Sequence, residues 1–183
     1  IGDSIRHGYQ ETVKKELAGF ADVLGIAQNG GNSANVLAHL DEWAIGEEPD
    51  VVHVNCGLHD LKADFHTGER AIPLEQYEQN VRNILDILKA RVPTVIWALT
   101  TPVNQAWHHE RKPFDRFEDD VVAYNKVATR VAADANVSVN DLYGVVMRVG
   151  RDKILLPDGV HFCEDGYNIL GRAVADRVKK LAA

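Results

Sequence analysis

The feature that most constrains this chain is an alternation of two periods. Two short runs rich in β-branched residues, Val51-Val52-His53-Val54-Asn55 and Thr94-Val95-Ile96-Trp97-Ala98-Leu99, flank a segment in which Leu74, Tyr77, Val81, Ile84, Leu85 and Leu88 recur at three- and four-residue steps. Pro49-Asp50 introduces the first run and Cys56-Gly57 ends it, while Thr100-Thr101-Pro102 stops the second. Strand, amphipathic helix and strand make a β-α-β unit, and parallel strands joined in this way need helices on both faces of their sheet. A weaker strand is expected over 22–27, then a Gly30-Gly31 turn and a helix over 33–43 capped by Asn32 or Ser33. Further on, the pattern predicts a helix over 117–135, a short strand over 137–139 and a last helix over 164–181. Ile169, Leu170, Val174, Val178 and Leu181 form the stripe of that last helix. The chain therefore reads as one three-layer α/β/α domain over 1–183, with no linker.

Composition narrows the partners. A chain of 183 residues can bury roughly two thirds of its unfolded surface, enough for a substantial core. The formal charge of −7 argues against broad contact with nucleic acid or an anionic membrane, whose fields would repel it, and favours a neutral or small charged substrate. No apolar run approaches the roughly 20 residues of a membrane-spanning helix. Cys56 and Cys163 are too few for a disulfide framework and read as inert reduced thiols, which favours the cytoplasm; a leader removed before Ile1 would instead direct the protein to the periplasm or outside the cell. The eight histidines include no HExxH pair, so no metal is expected, and Gly30-Gly31 lacks the GxGxxG or Walker pattern of a nucleotide loop.

Four segments carry candidate chemistry. Gly2-Asp3-Ser4 places a serine at an expected strand end, before a helical segment beginning near Tyr9. Asp158-Gly159-Val160-His161 puts an acid and a histidine three residues apart in one short turn ahead of the last helix, so a single loop can carry both toward the serine. A histidine must reach the hydroxyl as base, and a carboxylate on its other nitrogen selects the tautomer and stabilises the imidazolium. Between them lie Asn29-Gly30-Gly31-Asn32-Ser33 and Asn55-Cys56-Gly57-Leu58-His59-Asp60, both at expected strand ends, where glycine amides can approach a developing oxyanion closely. The stretch 103–116 fits neither period and reads as a loop bordering the ligand crevice, with Asn104, Trp107 and His108 as candidate substrate contacts. A solvated surface excursion is the plainer reading of that stretch.

Taken together, these blocks resemble those of the SGNH (GDSL-like) hydrolases over essentially the whole chain. Ser4 matches the family's nucleophile, Gly31 the glycine of its second block, and Asp158 and His161 its DxxH block. The resemblance implies a flavodoxin-like fold with a central parallel sheet of about five strands, ester hydrolysis through an acyl-enzyme, no cofactor, and oxyanion donation by the Ser4 and Gly31 amides. It also implies a strand ahead of the nucleophile in the centre of the order 2-1-3-4-5. Only Ile1 precedes Gly2, so residues before Ile1 are expected to supply that strand. The third block departs from the pattern: Gly57-Leu58-His59-Asp60 stands where the family has Gly-x-Asn-Asp. His59 then takes the place of the asparagine donor, which a neutral imidazole with one N–H can do, with Asn104 as a rival donor. Asp60 is expected to hold the loop.

The favoured substrate, a small-molecule or oligosaccharide ester, is a short acyl ester, acetyl above all, on a carbohydrate; this draws on the breadth of the family that the chain resembles and on the polar loop, where Trp107 and the basic residues near it suit a sugar bearing a carboxylate better than an acyl chain. A lipid esterase or thioesterase, an acyltransferase, and a carbohydrate-binding module that kept the fold but not the chemistry are the alternatives.

Overall fold

The computed structural model describes residues 1–182. Three parallel strands form the sheet among these residues, in the order β1 (Val51–Val54), β2 (Thr94–Ala98), β3 (Ser138–Asn140). Val51 pairs with Thr94 and Ile96 with Ser138. Helix α1 (Ser4–Glu16) packs on α9 (Glu164–Ala182), which also contacts β1 and β3, so the two cover one face. On the other face, α2 (Ser33–Ala38), α4 (Leu74–Arg91) and α6 (Glu118–Asp134) pack side by side, with α4 against β2 and α6 against β3. This is the three-layer α/β/α arrangement expected from the alternation. Tyr77, Val81, Ile84, Leu85 and Leu88 of α4 are fully buried, as their spacing predicts. Each such aliphatic side chain contributes about 1.5–3 kcal/mol through burial.

Several expectations need correcting. The sheet has three strands among the described residues rather than about five, and 22–27 forms no strand. Leu24 is 66% exposed. Only Val23 and Ile26 are half-buried, a spacing of three that a pleated strand cannot present to one face. Arg6 Nη2 donates instead to the Ile26 carbonyl, 2.7 Å, near the end of the segment, and to that of Gln28, 3.1 Å, just past it. Beside β1, Ile1 and Gly2 continue the sheet without forming a ladder. The Asn55 amide donates to the Ile1 carbonyl, 3.2 Å, and the Gly30 amide to the Gly2 carbonyl, 3.0 Å.

The first helix starts at Ser4 itself, not near Tyr9, because Asp3 caps it: its Oδ1 accepts from the Ile5 amide, 2.9 Å. The helix expected over 33–43 is split at His39 into α2 and α3 (Leu40–Trp43). Asn32 is the cap of α2, through the Asn35 amide. The loop over 103–116 contains a short helix, α5 (Gln105–His109), capped by Asn104. Helices α7 (Leu142–Val149) and α8 (Arg151–Ile154) fill the stretch between β3 and the Asp158 turn.

Candidate active site

The sheet delivers its chemistry at the carboxyl ends of its strands, where parallel α/β folds open their crevice. Ser4 is half-buried at the first position of α1, where the leading amides of a helix have no intrahelical acceptor. Its Oγ lies 2.9 Å from His161 Nε2. On the far side of the imidazole, Nδ1 lies 2.5 Å from Asp158 Oδ2. Because the carboxylate can only accept, that contact places the ring proton on Nδ1 and leaves Nε2 free to take the serine proton.

The turn holding this pair is tied down throughout. Asp158 Oδ1 accepts from the amides of Val160, 3.1 Å, and His161, 3.0 Å. Burial alone would raise the Asp158 carboxyl, but the His161 ring and these two amides outweigh it and hold it at about 2. Lys112 Nζ stands 3.7 Å from the same carboxylate. The turn also needs a glycine: Gly159 has φ +73°, and a Cβ there would meet the Asn104 carbonyl at 2.4 Å and the His108 amide nitrogen at 2.8 Å. Its own carbonyl accepts from the Asn104 amide, 2.8 Å, while the Leu156 amide donates to the His161 carbonyl, 2.7 Å.

The Gly30-Gly31 turn and the loop after β1, tied to the residues just ahead of Ser4 by the Gly30 and Asn55 amides, are built differently. Gly31 has φ +66°, and its amide donates to Asn29 Oδ1, 2.9 Å, so the Asn-Gly-Gly turn closes on itself. The His59 ring is half-buried and makes no hydrogen bond with the described residues. Burial, with the charges of Lys62, Arg116 and His161, lowers it to about 4, so it is neutral near pH 7. Asp60 is fully buried, accepts twice from the Ser33 amide at 2.9 and 3.1 Å, and so clamps the loop after β1 to the start of α2. Burial pushes its carboxyl up to about 6 against those bonds.

The three residues expected to contact substrate fall into different places. Asn104 is spoken for: its Oδ1 accepts from the Trp107 amide, 3.2 Å, and its Nδ2 donates to Asp152, 3.1 Å. That uses one of the two amide N–H groups of the rival oxyanion donor. His108 is buried completely and its Nδ1 faces the Asp158 carbonyl at 3.3 Å, so it backs the turn instead of facing solvent. Trp107 borders a shallow cavity of about 150 Å³ with Arg111, Leu155 and Pro157, next to Asp158. A roomier cavity, about 580 Å³, lies elsewhere, between Arg70, Pro73, Leu74 and Tyr124. It contains the Arg70–Asp120 ion pair and none of Ser4, Asp158 and His161, so volume does not mark the chemistry here.

Two roles are not evident from the blocks themselves. Asn29, flanking the glycines, gave a signal in its Asn-Gly-Gly sequence, which favours a side chain folding back on its own turn. Lys62 and Arg116, 54 positions apart, meet at one aromatic ring, and nothing local announces that.

A serine, a histidine and a carboxylate in unbroken contact at the strand ends of an α/β/α sandwich are the arrangement that serine hydrolases use for nucleophilic attack. The sequence model of the GDSL-like lipase/acylhydrolase family matches residues 1–169, and the chain belongs to that family. A GDSL esterase/lipase of Arabidopsis thaliana is 28% identical over 146 residues, 74% of this chain; the chain spans 61% of the length of that relative. Among solved structures, a lipase/acylhydrolase from Enterococcus faecalis superposes with a TM-score of 0.81 at 27% identity, covering 98% of this chain and 93% of that one. Axe2, an acetylxylan esterase from Geobacillus stearothermophilus, gives 0.76 at 22% identity, covering 93% and 80%, and shares the fold.

Proposed function

We propose that this chain hydrolyses carboxylic esters through an acyl-enzyme on Ser4, and that its substrates are short acyl esters, acetyl above all, on a carbohydrate. The observation that carries the chemistry is the relay from Ser4 Oγ through His161 to Asp158, at 2.9 and 2.5 Å. As Ser4 Oγ attacks the ester carbonyl carbon, His161 Nε2 takes its proton and Asp158 stabilises the imidazolium. The carbonyl oxygen becomes an oxyanion held by the Ser4 amide, by the Gly31 amide once Asn29 releases it, and by the neutral ring of His59 in place of the family's asparagine. Collapse expels the alcohol, which receives the proton from His161. Water, deprotonated by His161, then attacks the acyl-serine; the second collapse releases the acid and returns the proton to Ser4.

The carbohydrate part of the reading rests on Trp107 beside the Asp158 turn, a flat ring suited to stacking on a sugar. It also draws on the acetylxylan esterases built on the same fold. Labelling by a fluorophosphonate tests the chemistry: the adduct is expected on Ser4, and folded protein that stays unlabelled would favour a binding module. Acetate release from acetylated xylo-oligosaccharides, compared with turnover of long-chain p-nitrophenyl esters, tests the substrate. Faster turnover of the long chains would favour a lipid esterase, and acetyl transfer to an added sugar would favour an acyltransferase.

A further inference from the structure

Beside the Asp158 turn stands a pair of cations with no carboxylate within ion-pair distance among the described residues. Lys62 Nζ lies 4.8 Å from the centre of the Phe114 ring and the Arg116 guanidinium carbon 5.0 Å from it. Arg116 is only 6% exposed. Its Nε donates to the Leu58 carbonyl, 2.6 Å, next to His59, and among the described residues neither it nor Lys62 has an ion-pair partner. The same Phe114 ring packs against His108, centroids 5.4 Å apart, and His108 in turn faces the Asp158 carbonyl. The two charges thus lie between the His59 loop and the turn that carries the catalytic base. A third cation, Lys112, stands at Asp158 itself.

Burying an unpaired guanidinium costs several kcal/mol, and burial lowers Arg116 to about 10 even with the charges of Asp3 and Asp158 nearby. Asp3 does not settle that charge: it sits outside ion-pair distance, its Oδ1 is used by the Ile5 amide, and burial raises its own carboxyl. Two cations over one ring with no salt-bridge partner, in a chain of net charge −7, suit a ligand that brings a negative charge of its own.

We propose that Lys62 and Arg116 form a subsite for an anionic group, carboxylate or phosphate, on the alcohol half of the ester. This rests on the esterase reading above, in which an acetyl group has no room for a charge and the alcohol must carry it. An acidic or phosphorylated sugar has this chemistry.

Three aryl acetates test the subsite: 4-acetoxybenzoate, its methyl ester, and 4-acetoxyphenyl phosphate, each rate normalised to its hydroxide hydrolysis. The anionic esters are expected to exceed the methyl ester in kcat/KM by roughly tenfold or more at low salt, and the ratio to fall with added salt. Which anion gains more separates carboxylate from phosphate. In Lys62→Gln the ratio falls toward one; Arg116→Gln does the same if it folds. Binding is read separately in Ser4→Ala by calorimetry, where 4-acetoxybenzoate is expected to bind roughly tenfold more tightly than its methyl ester. Equal affinities there, or a rate ratio that Lys62→Gln leaves unchanged, overturn the subsite. Failure of the wild-type protein to turn over p-nitrophenyl acetate overturns the esterase reading instead, and the calorimetry still decides the subsite.

Discussion

The two sides of the candidate site hold their functional groups in opposite ways. On one side the Asp158–His161 turn is saturated: the carboxylate accepts from the imidazole and two amides, and the backbone at Leu156, Gly159 and His161 is bonded as well. On the other, the His59 ring has no partner among the described residues and the Gly31 amide is held by Asn29. On the proposed mechanism, the difference matches what each side would have to do. A base must already be aligned when substrate arrives, since misplacement by about 1 Å can cost 10²-fold. Oxyanion donors serve a charge that exists only in the transition state, and their hydrogen-bonding capacity must be unspent, or cheaply released, when it forms.

The largest effect is expected on the saturated wall. In Asp158→Asn the side-chain oxygen can keep the bonds to the Val160 and His161 amides, but the new NH₂ faces His161 Nδ1. The ring proton is then driven to Nε2, where it blocks acceptance from Ser4. kcat on p-nitrophenyl acetate should fall by about 10⁴; a loss below about tenfold would mean that the saturated turn is structural only. The same carboxylate has a pH signature. Its folded value of about 2 lies below the ordinary 3.8, so the stability it supplies is complete above about pH 4 and is lost as pH falls through 2. The gap in urea midpoint between wild type and Asp158→Asn should therefore narrow over that window.

His59→Ala probes the open wall. Loss of one oxyanion donor should lower kcat by about 10²–10³ with little change in KM, and His59→Asn should restore much of it, since an amide N–H can serve the same charge. An unimpaired kcat in His59→Ala would remove the ring from the oxyanion site. Gly159→Ala returns to the first wall at a smaller scale. Its Cβ meets backbone, not a flexible side chain, so the turn must move and carry His161 with it. A drop of about 10² in kcat/KM is expected, along with a lower melting temperature. Gly31→Ala is the matched control on the second wall: the left-handed φ is equally unfavourable, but the nearest atom to a new Cβ is Asn35 Nδ2 at 3.6 Å. That change should cost about 1 kcal/mol of stability and only a few-fold in rate.

The contrast between the walls was partly legible in the residues. Asp158 and His161 lie three apart in one turn, so their meeting is a local matter, and the β1-α4-β2 unit announced itself through uninterrupted periodicity. The sheet was harder to read. Residues 22–27 have strand-like composition, yet Arg6 captures the Ile26 carbonyl, a contact 20 residues apart in sequence. His108 looked like a substrate contact because its neighbours are polar, whereas packing turns it inward against Phe114. Donor occupancy on the open wall depends on rotamers, and the Lys62–Phe114–Arg116 cluster on tertiary convergence; neither leaves a period in the sequence.

The smallest effect concerns that donor occupancy, and it decides how the open wall works. If the Gly31 amide stabilises the oxyanion, it must first leave Asn29 Oδ1, now 2.9 Å away, and that exchange costs about the net value of one hydrogen bond, 0.5–1.5 kcal/mol. Asn29→Ala removes the competitor, so kcat should rise about two- to tenfold with KM nearly unchanged. A fall in kcat would carry the opposite meaning: Asn29 holds Gly31 in its left-handed turn, the amide is structural, and the oxyanion rests on Ser4 and His59 alone. The double variant Asn29→Ala/His59→Ala sharpens this further. Two donors acting on one oxygen should couple, so the gain from Asn29→Ala should be larger where His59 is absent, whereas simple additivity would place the two groups on different atoms.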